Sequence, residues 1–165
     1  MSTGIVYLRP TPLLYVRASG TRAQAGHEAW SRLLQWIDIR GFSGEIQRKF
    51  GLMRDDVDTI ASGQTRYEAC VEAPQGLIED PAEGVGMMIL PGGPYVRHRH
   101  TTGRDEITKT LRWLTGEWAA SRSMDVDKSR PMIEAYTCDP LADAARLRLD
   151  VCVPVQIGSN RRSAA

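Results

Sequence analysis

The residues with the clearest chemical potential lie in one short segment, residues 131–138, which reads PMIEAYTC. Its alternation predicts a strand on which Met132, Glu134 and Tyr136 point to one face. A carboxylate and a phenol on one face could offer a ligand a charge and a hydrogen bond, or act in general acid–base catalysis. The alternative is a glutamate without a functional role, which faces water or pairs with an arginine. The segment alone leaves both interpretations open.

The composition describes one globular domain without an obvious nucleic-acid or membrane partner. The chain has 165 residues, 42% of them hydrophobic, and a formal net charge of +1, so there is no electrostatic footprint for nucleic acid. We find no leader peptide and no apolar run of about 18 residues, which favours a cytoplasmic protein. Three cysteines without a CxxC pair indicate free thiols in a reducing compartment.

No cofactor or metal is expected. His98 and His100 share a strand face, but the third histidine, His27, lies on a predicted helix elsewhere, and no HExxH motif or cysteine cluster is present. There is also no GxSxG motif and no phosphate-binding loop.

The chain contains a weak internal repeat. Tyr15 begins a Tyr-Val-Arg triplet that recurs at Tyr95, and residues 66–73 (RYEACVEA) recur as residues 148–155 (RLDVCVPV). We therefore predict a single domain made of two modules, about 13–73 and 86–155. Each module reads as strand, helix, strand, strand. The predicted fold is α+β, with both helices on one face of an antiparallel sheet and a ligand cleft between the modules.

The predicted helices carry clear apolar stripes. In the first helix, Thr21 and Gln24 form a capping box and Gly41 ends the helix. Its stripe comprises Gly26, Trp30, Leu33, Leu34 and Ile37. The second helix begins near a cap at residues 102–105, and its stripe comprises Ile107, Leu111, Leu114 and Trp118. Trp36 and Trp113 fall off these stripes, so we expect them to line the cleft or a dimer contact.

The repeat also gives the interpretation of Glu134. An offset of 82 residues, as between residues 66 and 148, aligns Glu134 with Leu52, so an acid stands where a core residue is expected. A buried carboxylate costs several kcal/mol unless it is paired or hydrogen-bonded. An acid at a position where the repeat predicts an apolar core residue favours a pocket carboxylate, because natural proteins depart from core patterns mainly at functional sites.

Several short motifs, taken together with their order and spacing along the chain, resemble the GyrI-like small-molecule-binding family. They are residues 90–96 (LPGGPYV), 113–118 (WLTGEW), 149–155 (LDVCVPV) and 67–71 (YEACV), together with the pair Glu134 and Tyr136. The resemblance covers about residues 13–155. The same fold forms the effector-binding domain of AraC-type and MerR-type multidrug regulators. It implies two strand-helix-strand-strand modules, in agreement with the repeat.

The resemblance also implies the site. In the family, the glutamate of the Glu-x-Tyr strand lies among aromatic side chains in the cleft and favours cationic or polar groups on flat lipophilic ligands. That role falls here on Glu134, with Tyr136 beside it. The other candidate ligand-binding residues, which follow from their positions in the sequence, are Trp30, Trp36, Trp113, Trp118, Tyr15, Tyr95 and Met132. A core role is the alternative for Trp30, Trp118 and Met132, and a structural role is the alternative for Tyr15 and Tyr95. A pseudo-twofold axis is expected to relate the two modules, and Tyr15 and Tyr95 are expected to flank it.

Three functions follow as hypotheses. The first is a stand-alone protein that binds aromatic or lipophilic drug-like molecules, some of them cationic. The second, also implied by the resemblance, is a hydrolase of cyclopropane-bearing DNA-alkylating compounds that uses Glu134 and Tyr136 for catalysis. The third is an interaction module that acts on DNA gyrase. Only 12 residues precede the first predicted strand, so no DNA-binding domain is expected. An exposed tryptophan would support a homodimer.

Overall fold

Strands dominate the computed structural model, which describes residues 3–101, 103, 106–143 and 147–157. The strands within these residues are β1 (Thr3–Leu8), β2 (Thr11–Gly20), β3 (Lys49–Met53), β4 (Thr65–Glu72), β5 (Gly86–Leu90), β6 (Gly93–His100), β7 (Asp125–Val126), β8 (Met132–Tyr136) and β9 (Leu149–Gln156). The helices are α1 (Arg22–Ile39), α2 (Val57–Ala61), α3 (Ile107–Trp113) and α4 (Ala119–Ser121), and a π-helical turn, Leu114–Trp118, joins α3 to α4.

The strands form an antiparallel sheet in the order β1-β6-β9-β8-β3-β4-β2-β5, with β7 paired to β9 off this path. The centre of the order is the β3–β8 pair, where the two predicted modules meet. On each side of that pair, the strands of one module follow in the same relative order, and one further strand is added at each edge. The predicted α+β fold with an antiparallel sheet is confirmed.

The sheet is strongly curled. Only Arg9 and Pro10 separate β1 from β2, yet these strands occupy the first and seventh places in the order. Likewise, only Pro91 and Gly92 separate β5 from β6, which occupy the eighth and second places. Two-residue connections cannot cross a flat sheet, so the ends of the sheet must curl towards one another. A β-carbon placed on Gly92 would lie 2.6 Å from Cδ of Pro10, which shows how closely the two connections approach.

Both faces of the sheet carry a core. On one face, α1, α3 and the π-helical turn bury Trp30, Leu33, Leu111 and Leu114 against the strands. On the other face, inside the curl, strand residues alone form a second core, which comprises Leu13, Phe50, Leu52, Cys70, Leu90, Tyr95, Ile133 and Cys152. Both faces are therefore buried around the centre of the sheet, which explains why Glu134 cannot avoid burial.

The predicted limits of the first helix are confirmed. The side chain of Thr21 accepts a hydrogen bond of 3.1 Å from the backbone N–H of Gln24, as an N-cap residue should. Gly41 has φ of 78°, the left-handed conformation expected just after a helix. The apolar stripe of the second helix is buried at Ile107, Leu111, Leu114 and Trp118, whereas its predicted cap at residues 102–105 falls largely outside the described residues.

Of the elements named above, β1, β7 and α2 were not predicted. β1 lies before the first predicted strand; it is an edge strand of mostly intermediate exposure, and its short alternation gives little signal. α2 lies between β3 and β4; Asp56 caps it by accepting a 2.8 Å hydrogen bond from the backbone N–H of Thr59. Among the described residues, no helix combines the length and apolar character that a membrane span requires.

Candidate functional site

Glu134 lies on β8 at the centre of the sheet, and its side chain is completely inaccessible to solvent. Its cross-strand partner on β3 is Gly51, while Leu52 pairs with Ile133. Cross-strand partners share a face, so Leu52 points into the core inside the curl and Glu134 points to the helical face. The alignment of Glu134 with Leu52 is therefore wrong by one position, and glycine is the residue that faces the acid.

The carboxylate of Glu134 is held by an arginine from the first turn of α1. Arg22 donates from Nε to Oε2 at 2.7 Å and also from Nη2 to the same oxygen. Only 8% of Arg22 is exposed, so this is a buried ion pair formed across 112 residues of sequence. The alternative of pairing with an arginine, left open by the sequence, describes Glu134 in this structure.

The other carboxylate oxygen of Glu134, Oε1, accepts hydrogen bonds from two tyrosine hydroxyls. The hydroxyls of Tyr67, on β4, and Tyr136, on β8, each donate to Oε1 of Glu134 at 2.7 Å. Trp30, on α1, donates from its indole nitrogen to the Tyr67 hydroxyl at 2.9 Å and packs edge-on against the Tyr136 ring at 5.5 Å between centroids. We call these five side chains, Arg22, Trp30, Tyr67, Glu134 and Tyr136, the Glu134 network.

Burial and charge fix the protonation of the donors. Burial disfavours the charged guanidinium of Arg22, but attraction to Glu134 outweighs this effect and raises the pKa of Arg22. Burial, reinforced by the negative charge of Glu134, raises the pKa of the Tyr67 and Tyr136 hydroxyls. The three groups are therefore donors at neutral pH, and they supply four hydrogen bonds to one carboxylate.

Gly51 makes room for this arrangement. A β-carbon at that position would lie 1.9 Å from the Tyr67 hydroxyl oxygen and 2.9 Å from Oε1 of Glu134. Any side chain there would displace the phenol from the carboxylate. The absence of a side chain at Gly51 is thus part of how the chain places an acid in its core.

A cleft opens beside the network on the same face of the sheet. Met53 and Met132 are cross-strand partners two positions along from Gly51 and Glu134, and they line a cavity of about 340 Å³. Its other lining residues come from both predicted modules: Arg54, Asp55, Asp56, Val57 and Asp58 from the first, and Thr115, Val126, Asp127, Lys128, Arg130 and Pro154 from the second. We call it the Met53–Met132 cleft.

One wall of the cleft is a rigid polar turn between β7 and β8. Asp127 accepts hydrogen bonds from Oγ of Ser129 at 2.6 Å and from Nε of Arg130 at 2.8 Å. These bonds lower the pKa of Asp127 from 3.8 to about 2. Arg130 also donates to the carbonyl oxygens of Pro94 and Val155 and stacks over Tyr95, so its charge is already used to hold the turn.

The structure brings together some of the predicted site residues. Trp30 and Tyr136 belong to the network of Glu134, and Met132 lines the adjacent cleft. Trp118, which is 9% exposed, and the half-buried Trp113 belong to the core on the same face. The Trp113 ring contacts His98 edge-on at 5.2 Å.

Three other predicted residues lie outside both the Glu134 network and the cleft lining. Trp36 belongs to the core on the helical face, near the C-terminal end of α1, where it donates to Asp80 at 3.0 Å and packs under Arg40. Tyr95 belongs to the core inside the curl, against which Tyr15 also packs. The expectation that Tyr15 and Tyr95 flank the axis between modules stays a prediction: β9, β8, β3 and β4 separate β2 from β6 in the strand order, but the sheet curls and both rings contact the same core.

Sequence reasoning missed Arg22, Gly51 and Tyr67. Arg22 precedes Gly26 and Trp30 by four and eight residues, so it extends the apolar stripe of α1. An arginine on a buried stripe requires a buried anion, which is the signal that could have paired it with Glu134.

The two histidines considered for a metal have other partners. His98 hydrogen-bonds Thr3 at 2.6 Å, and His100 contacts Thr110 and the carbonyl oxygen of Gly103. Within the described ranges, no cluster of three or more His, Cys, Asp or Glu side chains is arranged to hold a metal ion.

Comparison of the chain with known proteins gives one family and several similar structures. The profile of the family described as "GyrI-like small molecule binding domain" matches residues 1–156. The probable transcriptional regulator YgiV of Escherichia coli is 30% identical over 129 residues, which are 76% of this chain and 78% of that protein.

Two solved structures share the fold at low identity. The C-terminal domain of EcmrR superposes with a TM-score of 0.69 at 12% identity, covering 94% of this chain and 97% of that one. A hydrolase from Listeria innocua has a TM-score of 0.68 at 13% identity, covering 93% and 91%.

A third structure was solved with a ligand. SAV2435 bound to tetraphenylphosphonium has a TM-score of 0.55 at 14% identity, covering 94% of each chain. At these identities the likeness to all three structures concerns the fold.

Proposed function

Because the chain belongs to the GyrI-like small-molecule-binding family, we propose that it binds flat aromatic or lipophilic drug-like molecules in the Met53–Met132 cleft, beside the Glu134 network. The proposal depends on one observation: the cleft and the Glu134 network are neighbours on the same face of the sheet. Met53 and Met132 give the cleft an apolar, adaptable floor, and the next residue of β8 on that face is Glu134 with its ring of aromatic side chains. The binding of tetraphenylphosphonium by SAV2435 supports an aromatic ligand.

A titration with the neutral lipophilic dye Nile red tests the site. Met132→Gln should weaken binding about tenfold, since it places an amide against an apolar ligand, and burying a polar group without a hydrogen-bond partner costs about 1–3 kcal/mol. Met87→Gln is the matched control, because Met87 is 42% exposed on the edge strand β5. Equal affinities in the two variants would remove the cleft from the proposal.

A second candidate function is hydrolysis of a strained, cyclopropane-bearing electrophile. The contact that favours it is the 2.7 Å hydrogen bond between the half-buried Tyr136 and Glu134, which resembles a paired acid and base. Glu134 would take a proton from water while the water oxygen attacks a ring carbon. The electron pair of the broken C–C bond would pass to a carbonyl group that such a substrate carries in conjugation with its ring. Tyr136 would donate a proton to that carbonyl oxygen and recover one from Glu134. Since both oxygens of Glu134 already accept two hydrogen bonds each, one donor must first withdraw.

Mass spectrometry separates the two functions. Incubation of the protein with a cyclopropane-bearing alkylator should yield a product heavier by one water molecule if the protein is a hydrolase. Tyr136→Phe should then slow product formation while Nile red binding persists. Binding without any product would leave only the first function.

A further inference from the structure

Arg22 is an internal cation placed at the one buried acid of the candidate site. Its guanidinium donates twice to Oε2 of Glu134, and both groups are almost entirely excluded from solvent. The pair therefore presents no net charge to anything that enters the adjacent cleft. This differs from a free carboxylate, which would attract a cationic ligand strongly in a buried site.

We propose that Arg22 sets the charge preference of the cleft, so that the ligand is an uncharged aromatic or lipophilic molecule rather than a cation. The proposal rests on the proposed binding function and narrows its ligand class. It makes Arg22 a specificity-determining residue that acts through Glu134.

The hydrogen-bond geometry supports this assignment. Oε1 of Glu134 accepts from Tyr67 and Tyr136, and Oε2 accepts twice from Arg22, so the four lone pairs of the carboxylate are occupied. A cation could reach the carboxylate only by displacing a donor. Displacing Arg22 would leave a buried guanidinium without its partner, which is strongly unfavourable.

The attachment of Arg22 to the fold makes such displacement harder. Arg22 is in the first turn of α1, next to its N-cap, Thr21, and its guanidinium also lies 5.8 Å from the centre of the Tyr67 ring. A free ligand must give up translational freedom to compete with a group that is already in place. Of the network, the part that reaches solvent is the half-buried ring of Tyr136, which suits aromatic contact rather than charge recognition.

Two probes of the same shape and opposite charge test the proposal: tetraphenylphosphonium and tetraphenylborate, titrated calorimetrically in potassium-free buffer. The reference is the double variant Arg22→Gln/Glu134→Gln, which lacks both charges but keeps every charge at the cleft mouth. We expect the ratio of the two dissociation constants to agree within about threefold between the wild type and this variant. If the wild type prefers tetraphenylphosphonium over tetraphenylborate ten times more strongly than the double variant does, the proposal is overturned.

The single variants give the opposite shifts. Arg22→Gln should change the ratio at least about tenfold in favour of the cation, and Glu134→Gln should change it similarly in favour of the anion. Near-UV circular dichroism identifies variants that fold, and the comparison of wild type with the double variant decides the question if a single variant does not. If neither probe nor Nile red binds the wild type, the binding function itself fails, which is a different result from an unshifted ratio.

Discussion

At the scale of single residues, the molecule shows how an acid can be tolerated at the centre of a small domain. Glu134 is fully buried, and its four hydrogen bonds come from Arg22, Tyr67 and Tyr136. A buried polar network is stable only when each member is satisfied. Here the indole of Trp30 also donates to the Tyr67 hydroxyl, so removal of one member leaves others without partners.

Gly51 offers a prediction at this scale. Gly51→Ala should destabilise the protein by about 1–3 kcal/mol, because the new methyl group overlaps the Tyr67 hydroxyl and forces the network apart. This is the reverse of the usual effect of alanine in a strand, where glycine is the less favourable residue. Urea unfolding gives the free energy of unfolding for this comparison.

Gly26 is the matched control on α1. A β-carbon there would meet the ring of the same tyrosine, Tyr67, at an ordinary 3.7 Å. Gly26→Ala should therefore be neutral or stabilise by up to about 1 kcal/mol through helix propensity. Equal destabilisation by both substitutions would contradict the role assigned to Gly51.

The residues recovered from the sequence are those with a local signal. Alternation within β8 places Met132, Glu134 and Tyr136 on one face, and the structure agrees. The partners of Glu134 have no such signal, since Arg22 and Tyr67 lie 112 and 67 residues away in the chain. Their convergence depends on how α1 and β4 pack, which short-range patterns do not encode.

At the scale of elements, register explains the main error of the sequence interpretation. The offset of 82 residues that relates residues 66–73 to residues 148–155 does not hold between β3 and β8, where Gly51 rather than Leu52 shares a face with Glu134. Side chains alternate along a strand, so a slip of one residue moves every side chain to the opposite face. The helices were more predictable, because the stripe and caps of α1 are contained within one continuous segment.

The turn between β7 and β8 gives an element-scale prediction of pH dependence. The pKa of Asp127 is lowered to about 2 in the folded state, from an ordinary value of 3.8. A lowered pKa means that the ionised form stabilises the fold above about pH 4, and this contribution is lost as the pH falls from about 4 to about 2. Asp127→Asn should therefore lower the free energy of unfolding at pH 6. This loss of stability relative to the wild type should become smaller as the pH falls from about 4 to about 2.

Urea midpoints at several pH values from 6 to 2.5 measure this deficit. The control is Asp58→Asn, since the Asp58 side chain is 90% exposed on another wall of the cleft. A deficit for Asp127→Asn that stays constant down to pH 2.5 would show that the turn depends on side-chain shape rather than on charge.

At the scale of the whole molecule, the two predicted modules are not independent. β1, before the first module, pairs with β6 of the second module, whereas β5, at the start of the second module, pairs with β2 of the first. The Glu134 network likewise joins α1 and β4 of the first module to β8 of the second. Neither module alone would contain its edge strand or satisfy its buried charge.

This interdependence predicts a single cooperative unfolding transition. A Trp113→Phe/Trp118→Phe variant retains Trp30 and Trp36, so its fluorescence reports on the first module, while far-UV circular dichroism reports on the whole chain. The two signals should give the same urea midpoint, because breaking the β3–β8 pair exposes both cores and separates Arg22 from Glu134. Two separated midpoints would mean that one module survives without the other, and the buried ion pair would then not be what binds them into one unit.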